Sequence, residues 1–271
     1  MIRGKLINIL AAIDTNYLKP LIVMLKSLFT TNRDDRFHVY IMHSSLSEED
    51  ISCIRNLVEY KGHCMTLLKV EEELFQDAPI FSYYSKEIYF RLLAPYLLPK
   101  ELDRILYLDS DIIINGSIAD FYNMDLEGHY LATARESIAF LEWVHKKRLG
   151  LPKESGYFNS GVILFNLEFT RKNISLRQIF DCIESNNSKL FYPDQDVLNI
   201  LFHKKVRFID KQVYNYNSQF FWLDKLKSFG QKDMVWLQKS AAIIHFAGRN
   251  KPWDSHYRGA FKELYHQYDI L

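Results

Sequence analysis

The chain has 271 residues, of which 48% are hydrophobic and 25% are charged, which is enough for one compact domain with a sizeable core. Its net charge of +1 creates no overall field that would attract nucleic acid or an anionic membrane. We therefore expect a single domain over residues 1–271 and no nucleic-acid partner.

The strand-like and helix-like segments alternate through the first half of the chain. Apolar patterns predict strands over Leu6–Ala12, Phe37–Met42, Met65–Val70 and Arg104–Leu108. They predict helices over Tyr17–Thr31, from Ser47 onwards with Asp50 at capping-box spacing, and over Glu87–Leu97. This alternation predicts an α/β fold with a mostly parallel sheet and helices on both faces, whose ligands bind beyond the carboxyl ends of the strands.

The second half of the chain is less regular. Apolar runs predict strands over Val162–Asn166 and Ala241–Ile244, and helical patterns cover Leu176–Glu184 and Gln195–Phe202. The region Tyr214–Phe229 mixes aromatic and polar residues and allows no assignment.

The cysteines and the apolar runs indicate the compartment. Cys53, Cys64 and Cys182 are odd in number and form no Cys-x-x-Cys pair, so reduced thiols in a cytoplasm are expected. The apolar run over residues 6–13 lacks the cleavage site of a secretion signal, and no run is long enough to cross a bilayer. We expect a cytoplasmic protein without a transmembrane segment, for which peripheral attachment to the inner membrane face stays open. The oligomeric state is not indicated.

Polar residues follow two of the predicted strands, at Asp14-Thr15-Asn16 and at Asp109-Ser110-Asp111. Residues two apart in an extended segment point to the same side, so Asp109 and Asp111 can direct both carboxylates at one point. A diphosphate bound there would repel them unless a divalent cation lay between. On their own, the two aspartates could equally cap a solvated loop.

His245 follows the apolar run Ala241–Ile244 and would add an imidazole to the two carboxylates. That ligand set favours Mn²⁺ over Ca²⁺ and tolerates Mg²⁺. Gly248 would let the backbone approach a phosphate closely, and Lys251 would supply a point charge. A lone histidine near a strand end is more often an ordinary hydrogen-bonded residue, so the metal hypothesis depends on these residues lying together.

Six segments of the chain carry a family resemblance. In chain order they are AIDTNY at 12–17, YFRL at 89–92, LYLDSD at 106–111, YFNSGV at 157–162, DQDVLN at 194–199 and HFAGRNKPW at 245–253. On these segments the chain resembles glycosyltransferase family 8, the retaining enzymes that include bacterial lipopolysaccharide galactosyl- and glucosyltransferases and glycogenin. The resemblance implies the single-domain GT-A-type fold of nucleotide-diphospho-sugar transferases. It also implies a nucleotide-binding half over about 1–115 and a half for donor sugar and acceptor over about 116–271.

The resemblance implies transfer of a hexose from UDP-glucose or UDP-galactose to a glycan, glycoprotein or glycolipid, with Mn²⁺ or Mg²⁺ as cofactor. It implies the following positions: Ala12, Asp14 and Asn16 at the uracil and ribose; Asp109, Asp111 and His245 at the metal; Ser110 and Arg91 at the donor; Asn159, Ser160 and Gly161 near the donor sugar; Asp194 and Gln195 at the reacting carbon; Gly248 and Lys251 at the diphosphate. Of these, Gln195, Asp194, Arg91 and Lys251 are the implied catalytic residues.

Alternatives stay open at three positions: Glu136, which the resemblance also places at the donor, Asp196 and Arg91. Glu136 aligns with a carboxylate that is an aspartate in some members of the family. Because its side chain is longer, it could contact the donor sugar at a different place. Asp196 could be purely structural in an acidic helix start, and Arg91 could be only an ion-pair partner. An amide such as Gln195 is a poor nucleophile, so we expect the acceptor hydroxyl to attack on the face that the leaving group departs from.

The acceptor side has the weakest signal. Tyr214, Tyr216, Phe220, Phe221 and Trp222 could form a stacking platform, with Tyr216 and Trp222 foremost, although half or more of such residues are core. Other functions also stay open: a nucleotide-sugar hydrolase, a nucleotidyltransferase, a non-catalytic UDP-sugar sensor and self-glycosylation on a tyrosine. A nucleotidyltransferase would usually have a glycine-rich loop after the first strand, and residues 12–17 contain no glycine.

Overall fold

The computed structural model describes residues 5–79 and 85–270, apart from the side chain of Glu72. The strands are β1 Leu6–Ala12, β2 Arg36–His43, β3 Cys64–Lys69, β4 Arg104–Leu108, β5 Ile112–Ile114, β6 Leu131–Arg135, β7 Phe158–Asn166, β8 Val206–Ile209, β9 Tyr216–Asn217 and β10 Ile243–His245. The α-helices are α1 Leu18–Thr31, α2 Glu48–Tyr60, α3 Ala94–Leu97, α4 Ala119–Tyr122, α5 Ala139–Leu149, α6 Leu167–Asn173, α7 Leu176–Asn186, α8 Pro193–Phe202, α9 Lys211–Tyr214, α10 Phe221–Lys227, α11 Met234–Ser240 and α12 Lys262–Asp269. Segments of 3₁₀-helix cover Thr15–Tyr17, Glu72–Phe75, Lys86–Leu93, Asn187–Lys189 and Ser218–Phe220.

Seven strands form the main sheet in the order β3-β2-β1-β4-β7-β6-β8. Strands β1 to β4 are parallel to one another, and β8 is parallel to β6. Strand β7 is antiparallel to both of its neighbours, β4 and β6. The prediction of a mostly parallel sheet is therefore confirmed, with one reversal at β7. Because β4 pairs with β1 on one side and β7 on the other, the two halves of the chain share one sheet and form a single domain.

The main sheet is buried on both faces. Along β1 and β4, successive apolar residues alternate between two cores: Ile9 and Leu106 face one, and Leu10 and Tyr107 face the other. Helices α1 and α2 cover the first face, and the 3₁₀ segment before α3, with α7 and α8, covers the second. Helices lie on both faces as predicted, which leaves the strand ends as the accessible part of the sheet. No helix in the described ranges combines the length and apolar character needed to span a bilayer.

Several predicted elements are confirmed with their bounds. Strands β1 and β4 have the predicted bounds, because most of their residues are apolar and buried. Asn8, the polar residue inside β1, is buried as well and donates to the Tyr122 hydroxyl at 3.0 Å. Helix α2 begins after Ser47, whose side chain accepts from the Asp50 N–H at 3.1 Å while the Asp50 carboxylate accepts from the Ser47 N–H at 3.1 Å. This reciprocal pair is the predicted capping box.

The predicted helix over Glu87–Leu97 is a 3₁₀ segment followed by the short helix α3. Pro95 has no N–H to donate to the carbonyl four residues earlier, so one continuous α-helix cannot run through it. The predicted strand at Ala241–Ile244 begins two residues later, because the N–H of Ala241 still bonds to the carbonyl of Leu237 in α11.

A small second sheet has the order β5-β10-β9. Strand β5 follows β4 after only three residues and pairs antiparallel with β10, placing His245 opposite Ile112. Strand β9 lies in the region that the sequence left unassigned and pairs parallel with β10, placing Asn217 beside His245. The small sheet thus brings residues from three distant parts of the chain to the end of β4.

Candidate active site

Asp109 and Asp111 lie where the main sheet meets the small sheet. Asp109 follows the last residue of β4, and its N–H donates to the carbonyl of Gly161 at 2.8 Å. Asp111 precedes β5, and its carbonyl accepts from the N–H of Phe246 at 2.9 Å. These backbone bonds, with the pairing of β5 and β10, hold both carboxylates beside His245.

The side chains of Asp109, Asp111 and His245 form a compact group. One ligand atom from each residue lies within 4.8 Å of the other two. His245 Nε2 is 3.2 Å from Asp111 Oδ1 and 3.8 Å from Asp109 Oδ2. Two carboxylate oxygens and an imidazole nitrogen form a donor set that suits a divalent cation such as Mn²⁺ or Mg²⁺. The structure therefore brings the predicted metal ligands together.

Gly161 keeps the space between these ligands open. A Cβ built on Gly161 would lie 2.6 Å from Asp109 Oδ2 and would also contact Cε1 of His245. Ser110 is buried between the two aspartates, and its hydroxyl finds no hydrogen-bond partner within the described ranges. Since buried polar groups are almost always hydrogen-bonded, this hydroxyl fits a site that receives a polar ligand.

Lys251 neutralises part of the negative charge of the group. Its ammonium forms an ion pair with Asp111 and donates to the carbonyl of Phe246 at 2.9 Å. Burial alone would raise the pKa of the Asp111 carboxyl, but Lys251 and His245 outweigh burial and hold that pKa well below its ordinary value. Asp111 is therefore ionised at neutral pH, as a carboxylate ligand must be. Gly248, three residues before Lys251, has the positive φ of 87° that glycine adopts easily.

Arg91 is a buried cation that joins two of the predicted site carboxylates. Its Nη1 is 2.9 Å from Asp109 Oδ1, and its Nε is 3.2 Å from Asp194 Oδ2. Nη1 also donates to the carbonyl of Ser160 at 2.8 Å, and the guanidinium lies over the Tyr107 ring. Burial opposes the charge of Arg91, but the two carboxylates outweigh it and raise the pKa of the guanidinium. Burial also raises the pKa of Asp194, although Arg91 acts against that rise.

The side-chain amide of Gln195 is held at both ends. Its Oε1 accepts from the N–H of Ser160 at 3.1 Å and from Nδ2 of Asn159 at 3.2 Å. Its Nε2 donates to the hydroxyl of Tyr157 at 2.9 Å. Gln195 is therefore fixed in one orientation beside Asn159 and Ser160, the residues predicted to lie near the donor sugar.

The contacts of Asp196 with the described part of the chain are structural. It is fully buried, and each of its oxygens bonds to one Nη atom of Arg148 at 2.8 Å. Oδ1 also accepts from the Tyr157 hydroxyl at 2.7 Å, and Oδ2 accepts from the N–H groups of Phe191 and Tyr192 at 2.8 and 2.9 Å. Both oxygens are occupied, which agrees with the structural alternative for this residue. Through Tyr157, Asp196 also supports the amide of Gln195.

The residues predicted to border the nucleotide lie at the neighbouring strand end. Leu10 of β1 pairs with Tyr107 of β4, so the segment after β1 reaches the same edge of the sheet as the acidic pair. Asp14 caps the 3₁₀ segment there by accepting from its last N–H at 3.1 Å. Ala12 is half-buried and Asn16 is exposed. Their contact with a nucleotide stays a prediction.

Glu136 lies at the end of β6, where its carboxylate accepts from the next two backbone N–H groups at 2.6 and 3.4 Å. Together with Asn159, Asn215 and His245 it lines a cavity of about 30 Å³. Of the three predicted metal ligands, His245 lines this cavity, together with Glu136 and Asn159 from the residues predicted to lie near the donor sugar. A role for Glu136 toward the sugar stays a prediction.

No pattern in the sequence pointed to Asn215 or Arg148. Asn215 Oδ1 is 3.0 Å from Nδ1 of His245, and its Nδ2 donates to Oδ1 of Asn159 at 3.0 Å. Asn215 lies in the unassigned region and becomes a neighbour of His245 only because β9 pairs with β10. Arg148 lies on α5, far along the chain from Asp196, and no local pattern connects them.

A groove of about 430 Å³ adjoins the cavity, between the start of α5 and helix α10. Phe220 and Asn217 line it, and Trp222 is 63% exposed. Tyr216 and Phe221 are each only 3% exposed and belong to the core. Tyr216 also lines the groove, but little of its ring is exposed there. Stacking of Tyr216 or Trp222 on an acceptor stays a prediction.

Comparisons with known proteins identify the family of the chain. The family model described as "Glycosyl transferase family 8" matches residues 8–257. The lipopolysaccharide 1,2-glucosyltransferase of Escherichia coli K12 is 29% identical over 91% of this chain and 72% of that protein. The lipopolysaccharide 1,3-galactosyltransferase of Salmonella typhimurium is 28% identical over 92% of this chain and 73% of that protein.

Among solved structures, the galactosyltransferase LgtC in complex with donor and acceptor sugar analogues has a TM-score of 0.84 at 23% identity, covering 97% of this chain and 95% of that one. The two chains therefore share the GT-A-like fold, as predicted. Because the family model covers nearly the whole sequence, the chain belongs to glycosyltransferase family 8.

Proposed function

We propose that this protein is a retaining, metal-dependent transferase that moves a hexose from UDP-glucose or UDP-galactose to a hydroxyl of a glycan, glycoprotein or glycolipid. The observation that carries the proposal is the group of Asp109, Asp111 and His245, whose ligand atoms lie within 4.8 Å of one another. Lys251 lies against the same group and adds a fixed positive charge. A metal ion and the Lys251 ammonium side by side would both attract the negative charges of a diphosphate.

Asp109, Asp111 and His245 would hold Mn²⁺, or Mg²⁺ in its place. When bound, the cation would act as a Lewis acid and neutralise charge on the leaving diphosphate. Asp109 divides its two oxygens: Oδ1 accepts from the Tyr107 hydroxyl at 2.7 Å and pairs with Arg91, whereas Oδ2 faces His245. Arg91 and Tyr107 thus fix the orientation of the Asp109 carboxylate, although Asp109 itself is only partly buried.

Lys251 and Gly248 would hold the diphosphate. Lys251 is anchored by the carbonyl of Phe246, so its charge is fixed near the metal ligands before the reaction begins. A preorganised charge of this kind stabilises a leaving group without reorganisation. Gly248 is exposed and has a positive φ, and the side-chain amide of Gln219 occupies the space that a Cβ would take. A phosphate oxygen would therefore reach the Gly248 N–H from the side that Gln219 leaves open.

In the transfer, the bond between the anomeric carbon and the UDP oxygen breaks as the acceptor oxygen bonds to the same face of that carbon. The acceptor proton passes to the departing phosphate oxygen. Retention through a covalent intermediate would need a free carboxylate nucleophile. Gln195 is an amide whose oxygen already accepts two hydrogen bonds, and the oxygens of Asp196 are occupied. Gln195 and Asp194 would instead orient the sugar and stabilise its positive charge, with Arg91 holding Asp194.

The two ends of the donor, its nucleoside and its sugar, would bind to different parts of the chain. The uracil and ribose would lie against the end of β1, in the half of the chain over about 1–115. The donor sugar would lie in the half over about 116–271. The residues concerned are Ala12, Asp14 and Asn16 for the nucleoside, Ser110 for the diphosphate, and Glu136, Asn159, Ser160 and Gly161 for the sugar.

The acceptor would approach through the groove between α5 and α10, which opens onto the cavity at Asn217. The names of two relatives include glucosyl and galactosyl transfer to lipopolysaccharide, which supports a hexose donor and a glycan acceptor. We further propose that the protein acts in the cytoplasm, because its cysteines are all free.

The deciding experiment is a screen of nucleotide sugars for donor hydrolysis and transfer with Mn²⁺, repeated with Asp111→Ala. We expect turnover with a UDP-hexose, and a loss of about 100-fold or more in the variant, because one electrostatic contact in such a site lowers the barrier by about 3–4 kcal/mol. Asp34→Ala, at an exposed position, is the matched control. Equal activity in Asp111→Ala would refute the metal assignment.

The products separate this proposal from its rivals. Sugar transferred to an added glycan supports a transferase, whereas free sugar alone, whatever acceptor is present, indicates a hydrolase. Donor binding without turnover across a broad acceptor panel indicates a sensor. Intact mass after incubation with UDP-glucose and Mn²⁺ detects self-glycosylation. A glycosylated Asp194 or Asp196 trapped by mass spectrometry would replace the same-face mechanism with a covalent one.

A further inference from the structure

Asn215 connects the metal group to the donor-sugar residues. It is 6% exposed and lies between His245 and Asn159, with one hydrogen-bonding atom directed at each. Its position follows from the fold, because it directly precedes β9 and β9 pairs with the strand that ends at His245. It belongs to none of the six segments that carry the family resemblance.

Backbone N–H groups, which can only donate, determine which atom of each side-chain amide in this connection is the oxygen and which is the nitrogen. The N–H of Gly161 donates to Asn159 at 3.0 Å, so the Asn159 atom on that side must be Oδ1. The N–H of Ser160 donates to Gln195 at 3.1 Å, so the atom there must be Oε1. The side-chain nitrogens of Asn159 and Gln195 therefore point away from these backbone N–H groups. Exchanging the oxygen and nitrogen of either side chain would place an NH₂ group against a backbone N–H, donor against donor.

The same constraint passes on to Asn215 and His245. Because Asn159 presents Oδ1 to Asn215, Asn215 must present Nδ2 in return, at 3.0 Å. Oδ1 of Asn215 therefore faces Nδ1 of His245, also at 3.0 Å, and accepts its hydrogen. With the hydrogen on Nδ1, a neutral His245 has its lone pair on Nε2, the nitrogen beside Asp109 and Asp111.

We propose that Asn215 is a positioning residue that fixes the tautomer and ring orientation of His245 for metal binding and ties His245 to the Gln195 amide through Asn159. The inference rests on the proposed function, since it takes His245 to be a metal ligand. Ligating histidines generally donate their other N–H to an acceptor, and loss of that acceptor weakens metal binding by about 10- to 100-fold.

The test measures the affinity for Mn²⁺ alone, by electron paramagnetic resonance of free Mn²⁺, so that it does not depend on turnover. We expect Asn215→Leu to weaken Mn²⁺ binding by about 10- to 100-fold. Asn215→Asp keeps the acceptor for His245 but loses the donor to Asn159. It should bind Mn²⁺ within about threefold of wild type, yet lose turnover, because the Asn159–Gln195 side is disturbed.

Asn8→Leu is the matched control, because Asn8 is also buried and bonds to the Tyr122 hydroxyl at 3.0 Å, away from the site. It should leave Mn²⁺ affinity unchanged despite a comparable loss of thermal stability. If Asp111→Ala weakens Mn²⁺ binding and Asn215→Leu does not, the role of Asn215 is refuted and the proposed function stands. If Asp111→Ala leaves Mn²⁺ binding unchanged, the metal site itself is refuted. Should Asn215→Leu fail to fold, loss of Mn²⁺ binding in folded Asn215→Asp overturns the inference.

Discussion

Gly161 lies against His245 so closely that a β-carbon at position 161 would contact Cε1 of the imidazole. The same carbon would lie 2.6 Å from Asp109 Oδ2, on the side where the two residues face each other. The absence of a side chain at Gly161 is thus a condition for the arrangement of the site, and it can be tested by adding one methyl group.

We expect Gly161→Ala to weaken Mn²⁺ binding and to lower turnover by about 100-fold, because the methyl group displaces Asp109 and His245 from their positions. Mn²⁺ titration and a donor-hydrolysis assay measure both effects. Gly128→Ala is the control: its φ of 72° makes the substitution cost about 1–2 kcal/mol of stability, but no atom lies within 4 Å of the new Cβ. Wild-type Mn²⁺ affinity in Gly161→Ala would contradict the prediction.

Lys251→Met separates phosphate binding from metal binding. We expect turnover to fall by about 10²- to 10³-fold, because a fixed charge at the leaving group is lost. The affinity for Mn²⁺ should not fall, because the Lys251 ammonium competes with the cation for Asp111. Turnover with saturating donor and Mn²⁺ titration are compared with Lys239→Met, an exposed control. A loss of Mn²⁺ affinity as large as in Asp111→Ala would show that Lys251 supports the metal ligands instead.

Tyr157→Phe tests the hydrogen bond that holds the side-chain amide of Gln195. The hydroxyl of Tyr157 accepts from Gln195 and donates to Asp196, so its removal leaves both groups short of a partner in a buried place. We expect a loss of about 1–3 kcal/mol in the free energy of unfolding, with reduced turnover and unchanged Mn²⁺ affinity. Tyr96→Phe, which removes a hydroxyl bonded to the carbonyl of Ile174, should lose stability and keep its turnover. Unchanged turnover in Tyr157→Phe would contradict the role given to Gln195.

The stability of the protein should fall as the pH drops below about 6.5, the ordinary pKa of histidine. Burial lowers the pKa of His63, and Arg36 and Lys61 lower it further. Burial likewise lowers the pKa of three other histidines: His38, His43 and His145. The unfolded chain then binds more protons than the folded one as the pH falls, so the free energy of unfolding decreases.

Urea denaturation at pH 7.5 and pH 5.5 measures this decrease. His63→Gln should show a smaller decrease than the wild type, because one of the contributing groups is gone. His256→Gln, at an exposed position, should show the wild-type decrease. An equal or larger decrease in His63→Gln would contradict the assignment.

The sequence was most informative where burial is complete. Strands β1 and β4 are buried on both faces, so each is a mostly apolar run whose ends are visible in the sequence, although β1 contains the buried Asn8. The polar residues that follow β4 and the histidine that ends β10 therefore marked the site, and the structure brings Asp109, Asp111 and His245 together. Strand β7 was predicted too short, because Asn159, Ser160 and Gly161 interrupt its apolar pattern.

The contacts that join the site could not be predicted in the same way. Asn215 meets His245 through the pairing of a two-residue strand, which has no periodicity to detect. Arg148 meets Asp196 across 48 residues of chain. Contacts of this kind depend on which elements become neighbours, and local periodicity indicates the buried face of an element but not its partner.

The division of the metal group between two sheets has a consequence for biosynthesis. The main sheet ends at β8, whereas His245 and Lys251 come from the small sheet and the segment after it. A ribosome synthesises every strand of the main sheet before it reaches β10. We expect the growing chain to complete its scaffold without binding a metal ion, and to become able to use its donor only when the last part of the described chain has emerged.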